Sequence, residues 1–119
     1  MTKPQDIVAR TFQFASSIVD LANQLDDGKV STRVLTRQIL RSGTSIGANI
    51  EEAQAAESKA DFTHKYNIAL KEARETRYWL RLIVASNGSE KTDLGSLIKE
   101  SDEICRIIAQ IVINARKAK

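Results

Sequence analysis

Cysteine, proline and histidine occur once each in this 119-residue chain, and its aromatics amount to three Phe, two Tyr and one Trp. Each scarcity removes a class of protein. A lone Cys105 forms no intrachain disulfide and no cysteine-based metal site. Its flanks, "DEICRII", mark it as a small buried apolar residue, and the expected compartment is the cytoplasm. The single His64 excludes H-E-x-x-H motifs and the E-x-x-H pairs of di-iron bundles, so Glu51, Glu52 and Glu57 do not read as metal ligands and no cofactor is expected. With His64 between Thr63 and Lys65 near a helix start, a solvated surface imidazole is the expectation.

Long apolar runs are missing too. The stretch "MTKPQDIVARTFQ" lacks the uninterrupted core of a signal peptide, and no segment approaches the roughly 20 apolar residues of a membrane span. A soluble protein with no membrane partner is expected. The length suits one domain. Few aromatics leave Ile, Leu, Val and Ala to fill the core, while the abundance of Ala, Glu, Lys, Arg and Leu favours helices over strands.

The chain reads as a single all-α domain over residues 1–119, with helices at about 4–25, 31–56, 59–86 and 91–117. On the first, Ile7, Val8, Phe12, Ala15, Ile18, Val19, Ala22 and Leu25 share one face, and "DDGK" ends it with Gly28 in the left-handed region. The second carries Leu35, Ile39, Ile46, Ile50 and Ala53, interrupted by Ser42 and Asn49. Ser58, three residues before Asp61, resembles a capping box opening the third, whose stripe is Phe62, Tyr66, Ala69, Leu70, Ala73, Leu80, Ile83 and Val84. "SNGSE" stops it, and the fourth contributes Leu94, Leu97, Ile98, Ile104, Cys105, Ile108, Ile111, Val112 and Ala115. Short turns between such helices give an up-down-up-down antiparallel four-helix bundle. Phe14, Leu21, Ile68, Trp79, Leu82, Ile107 and Ile113 fall outside these stripes, which points to a second buried face and a homo-oligomer.

The pentapeptide Gly43-Thr44-Ser45-Ile46-Gly47 matches the G-x-S-x-G of a hydrolase nucleophile elbow. That motif needs a strand before it, a strained turn at the serine and a histidine base, and here the serine sits inside a helical pattern. No phosphate loop follows either, because neither glycine precedes a G-K-[ST] ending. The expectation is a protein without catalytic residues, in which small residues at 42, 43, 45, 47 and 48 let helices approach closely. Asn49 and Glu52, at i, i+3 spacing, are expected to form a structural polar pair.

Charge is more informative. The net charge is +3 with an isoelectric point near 9.2, and no acidic residue occurs from Gly28 to Ile50. Within that span Lys29, Arg33, Arg37 and Arg41 recur every fourth position, forming a slowly winding stripe about 18 Å long at the ~1.5 Å rise of a helix. Such a ladder of like charge disfavours its helix unless carboxylates or phosphates offset it. Lys71, Arg74, Arg77 and Arg81 add cations on the third helix, diluted by Glu72 and Glu75. The candidate RNA- or DNA-binding set is Lys29, Arg33, Arg37, Arg41, Lys71, Arg74 and Arg81. The alternative is a protein-interaction or assembly module in which subunit contacts consume the stripe.

Residues 36 to 83, "TRQILRSGTSIGANIEEAQAAESKADFTHKYNIALKEARETRYWLRLI", resemble the four-helix-bundle family of proteins encoded in intervening sequences of bacterial 23S rRNA genes. The resemblance rests on Gln38, Arg41, Ser42, Ser45-Ile46, Ala48-Asn49-Ile50, Glu52, Asp61-Phe62, Ile68-Ala69, Glu72, Glu75 and Leu80. It implies an antiparallel four-helix subunit that assembles as a homopentamer. A relative of that fold, the accessory variability protein of diversity-generating retroelements, is a basic pentamer that binds nucleic acid and a reverse transcriptase, so the resemblance extends to those partners. The family's frequent A-N-I-A-E-G wording is replaced here by Ala48-Asn49-Ile50-Glu51-Glu52-Ala53, which favours an unbroken helix and sets negative charge beside the basic stripe.

Overall fold

The computed structural model describes residues 4–86 and 94–118, which form four α-helices: α1 (Pro4–Gln24), α2 (Val30–Gln54), α3 (Lys59–Ala85) and α4 (Leu94–Lys117). Each packs antiparallel on the next, and α1 meets α4 to close the bundle, with the sparsest packing of the four neighbouring pairs. Residues 87–93, which hold the "SNGSE" stop after its Ser86 and the expected first turn of the fourth helix, lie outside the described residues.

The turns follow local chemistry. Gly28 sits at φ 78° between α1 and α2, a conformation that glycine adopts without penalty. Beside it Asp26 accepts from the Gly28 N–H at 3.2 Å, and Asp27 accepts from the Lys29 N–H at 2.9 Å and the Thr32 hydroxyl at 2.8 Å. These donors hold the Asp27 carboxyl below the usual aspartate range. Ser58 caps α3, its Oγ accepting from the Asp61 N–H at 3.0 Å.

The core contains Ile18, Ile39, Ile46, Ile50, Leu80, Ile104 and Ile108, with Tyr66 its largest fully buried side chain. On α1 the inner face differs from the expected one. Phe12 and Val19, placed inward by the pattern, are 63% and 41% exposed, whereas Phe14 and Leu21, placed outside it, are each 2% exposed. The true stripe is Ile7, Thr11, Phe14, Ile18, Leu21 and Leu25. Thr11 can occupy it because its hydroxyl donates to the Ile7 carbonyl at 2.8 Å, so its burial leaves no orphan donor.

The glycines of α2 require a small residue at that level. A Cβ on Gly47 would lie 3.2 Å from the Thr11 carbonyl oxygen, and one on Gly43 would lie 2.9 Å from Ile18 side-chain carbons. This is the close helix approach expected of the G-x-x-x-G spacing, and it joins α2 to α1. Toward α3, Ser42 and Thr76 are fully buried, and the Thr76 hydroxyl sits 2.8 Å from both Ser42 Oγ and the Glu72 carbonyl. Val84, assigned to the inner face of α3, is 42% exposed because Thr76, Leu80 and Ile83 continue the buried row instead. Trp79 and Ile107, assigned outside the stripes, pack against the core.

Where α1 and α4 meet, charge supplements the thin apolar contact. Arg10 grips Glu100 through two bonds of 2.6 and 2.7 Å and reaches Glu103 at 2.8 Å. The two carboxylates raise the affinity of the guanidinium for its proton.

Candidate nucleic-acid interface

Ser45 lies in the middle of α2, and its hydroxyl donates to the Arg41 carbonyl at 2.7 Å. Thr44 does the same to Leu40 at 2.7 Å. Among the described residues no strand precedes the serine and no strained turn exposes it, so the G-x-S-x-G match is a helical packing sequence. The Asn49 amide donates to the Ser45 carbonyl at 2.9 Å, bracing its own helix, while Glu52 is exposed. These two are therefore not joined as the expected pair. His64 is exposed on α3. Among the described residues, no three His, Cys, Asp or Glu side chains gather to hold a metal ion.

All seven cations of the candidate set are solvent-exposed, but they stand in two different settings. On α2, Lys29, Arg33 and Arg37 share the surface with Val30, Val34 and Leu40, which are 69%, 51% and 38% exposed. At the end of this row Arg41 turns into the groove between α2 and α3. Its guanidinium pairs with Glu75 and with Glu72, the latter at 3.3 Å, and two of its nitrogens lie 3.2 Å from Gln38 Oε1. Glu75 also accepts from the Trp79 indole N–H at 3.1 Å. Of the four cations in the ladder, Arg41 is offset by a pair of carboxylates.

That pairing reorganises α3. With 3.6 residues per turn, Lys71, Arg74, Tyr78 and Arg81 fall within an arc of about 80°, and Glu75 and Glu72 lie beyond its edge on the side toward α2. The glutamates that dilute the α3 cations in sequence are therefore spent on Arg41, and the outward arc holds three cations and no acid. Arg77 lies toward α4, where it pairs with Asp102 at 2.7 Å, and Asp102 also pairs with Arg106 at 2.8 Å. Toward the start of α3 the outward side continues into a shallow hollow lined by Lys59, Thr63, His64, Asn67 and Arg116, again without a carboxylate.

Tyr78, which composition gave no reason to select, stands in the middle of this arc and is 53% exposed. Its ring meets that of Trp79 edge-on, with centroids 5.0 Å apart and planes at 72°. The signal for it was its position, four residues after Arg74 and three before Arg81. Cys105 is buried on α4, where burial pushes its thiol upward and Arg77 and Arg74 oppose the shift.

The architecture defines an antiparallel four-helix bundle carrying two unlike basic surfaces. The chain belongs to the 23S rRNA-intervening sequence protein family, whose model matches residues 3–110. A solved structure of a protein of unknown function from the S23 ribosomal protein family of Bacteroides thetaiotaomicron is 42% identical, with a TM-score of 0.84 over 93% of this chain and 98% of that one. None of the curated proteins is significantly similar to the chain. No helix among the described residues is long and apolar enough to cross a membrane.

Proposed function

We propose that this protein is a non-enzymatic, homo-oligomeric module that binds the phosphate backbone of RNA or DNA, with the outward face of α3 as its principal contact. The observation that carries this reading is charge segregation on one helix. Glu72 and Glu75 face Arg41, leaving Lys71, Arg74 and Arg81 on an arc without carboxylates. Cations held at helical spacing on a rigid surface attract phosphates and release condensed counterions, a sequence-independent source of affinity.

The α2 row supports a second role. Lys29, Arg33 and Arg37 alternate with exposed Val30, Val34 and Leu40, a mixture suited to a protein contact. Phe12, Val19 and Ile113 add exposed apolar area on α1 and α4. A homo-oligomer, with a pentamer as the favoured state, would cover such residues. A reverse transcriptase remains a partner implied only by the resemblance to the retroelement proteins.

Titration of labelled RNA and DNA at several salt concentrations tests the phosphate reading. Three contacts per engaged subunit predict a log-log slope of about −2 on a single strand and about −3 on a duplex. Absence of binding at low salt contradicts it. Charge reversal at Arg37 with Arg41 assigns the α2 row: a smaller species on a sizing column places it in subunit contacts, and an intact oligomer with lost nucleic-acid affinity assigns it to phosphate.

A further inference from the structure

We infer that Tyr78 is a base-stacking platform, so that the α3 face selects unpaired strands of nucleic acid over duplex. This rests on the phosphate reading above and adds to it the class of nucleic acid recognised. Three observations support the assignment. Tyr78 is 53% exposed, a large aromatic surface left open on a helix whose inward row is already filled by Tyr66, Leu70, Ala73, Leu80 and Ile83. Cations surround it along the helix, with Lys71 and Arg74 two turns and one turn before it and Arg81 one turn after, none of them in an ion pair among the described residues. Its ring is also held in place, because it abuts the half-buried Trp79, whose indole N–H is fixed on Glu75.

The combination has a specific consequence. In a duplex the faces of the bases are occupied by their neighbours, so a protruding ring meets only sugar and phosphate. In an unpaired strand a base can turn out and stack on the phenol while flanking phosphates settle on Arg74 and Arg81. The edge-on contact with Trp79 leaves at least one face of the Tyr78 ring to the solvent, as its exposure requires. A second copy of the same face is a poor occupant, since it would bring Lys71, Arg74 and Arg81 against their own counterparts.

The test compares a labelled oligo-uridine strand with an RNA duplex of equal length at one salt concentration, using the full chain, Tyr78→Ala and Tyr78→Phe, each checked on a sizing column. The expected result is tighter binding of the strand by the unmodified protein. Tyr78→Ala should lose about tenfold for the strand with little change for the duplex, and Tyr78→Phe should keep the strand affinity. Equal affinity for strand and duplex, unaltered by Tyr78→Ala, overturns the stacking role and leaves the phosphate reading standing. Failure to bind either nucleic acid overturns both. A change in oligomer mass for Tyr78→Ala without a change in strand affinity also overturns the stacking role and places Tyr78 in a subunit contact.

Discussion

The two basic rows of this bundle have nearly the same composition and opposite surroundings. The α2 row, Lys29, Arg33, Arg37 and Arg41, ends in a carboxylate pair and is interleaved with exposed aliphatic side chains. The α3 row, Lys71, Arg74 and Arg81, is interleaved with one tyrosine and has no acid on its arc. Residue spacing makes the α2 row the more regular and the more conspicuous. The packing of α2 on α3 reverses that ranking, because the carboxylates that weaken the α3 row in sequence neutralise the end of the α2 row in space. A run of like charge is therefore to be judged by what the neighbouring helix turns toward it.

The largest effect expected from breaking this contrast is on binding. Lys71→Glu with Arg74→Glu and Arg81→Glu should lower RNA affinity about a hundredfold and flatten the salt slope by about 2, while the far-ultraviolet spectrum and melting temperature stay close to those of the parent. The matched reversal, Arg33→Glu with Arg37→Glu, should change affinity less than about fivefold and act on oligomer mass, read by light scattering. Equal losses in the two variants would remove the distinction between the rows.

Within α2 the contrast becomes one of scaffold against surface. Gly47→Val should cost about 2 kcal/mol in urea unfolding, since the new side chain meets the Thr11 backbone. Val34→Ala, at a side chain 51% exposed, should cost less than about 0.5 kcal/mol. Arg41→Ala should be intermediate, under about 1 kcal/mol because the guanidinium is half exposed and its ion pairs are screened, with RNA affinity changed less than about twofold. The smallest effect concerns the turn below the α2 row. Asp27 should titrate below the ordinary aspartate value of 3.8, its carbon resonance followed by NMR. Because its folded-state value is depressed, whatever it contributes to the turn is present near neutral pH and is lost as the pH falls through that midpoint.

Most of the fold was legible in the sequence. Helix number and order follow from apolar period, Gly28, and the Ser58 cap, and the glycine pair of α2 announces close packing. The face of α1 was not, because apolar residues occupy both of its sides and the deciding residue is a threonine. Hydrophobicity ranks Phe12 above Thr11 for burial, whereas the threonine satisfies its own hydroxyl and sits against Gly47. At the candidate site the cations were legible one by one. Their division into two settings was not, since it depends on Arg41 reaching across to Glu72 and Glu75, 31 and 34 positions later in the chain. The helical period of α3 alone already separates Tyr78 and its cations from the two glutamates, and that was the signal present in the sequence.

Each row contains one lysine, Lys29 on α2 and Lys71 on α3, and both are exposed. Acetylation footprinting with and without a single-stranded RNA, read by mass spectrometry, therefore reports on the two rows in one experiment. The charge-segregation account predicts that RNA protects Lys71 several-fold and leaves Lys29 as reactive as before. Protection of Lys29 with Lys71 unchanged would contradict it.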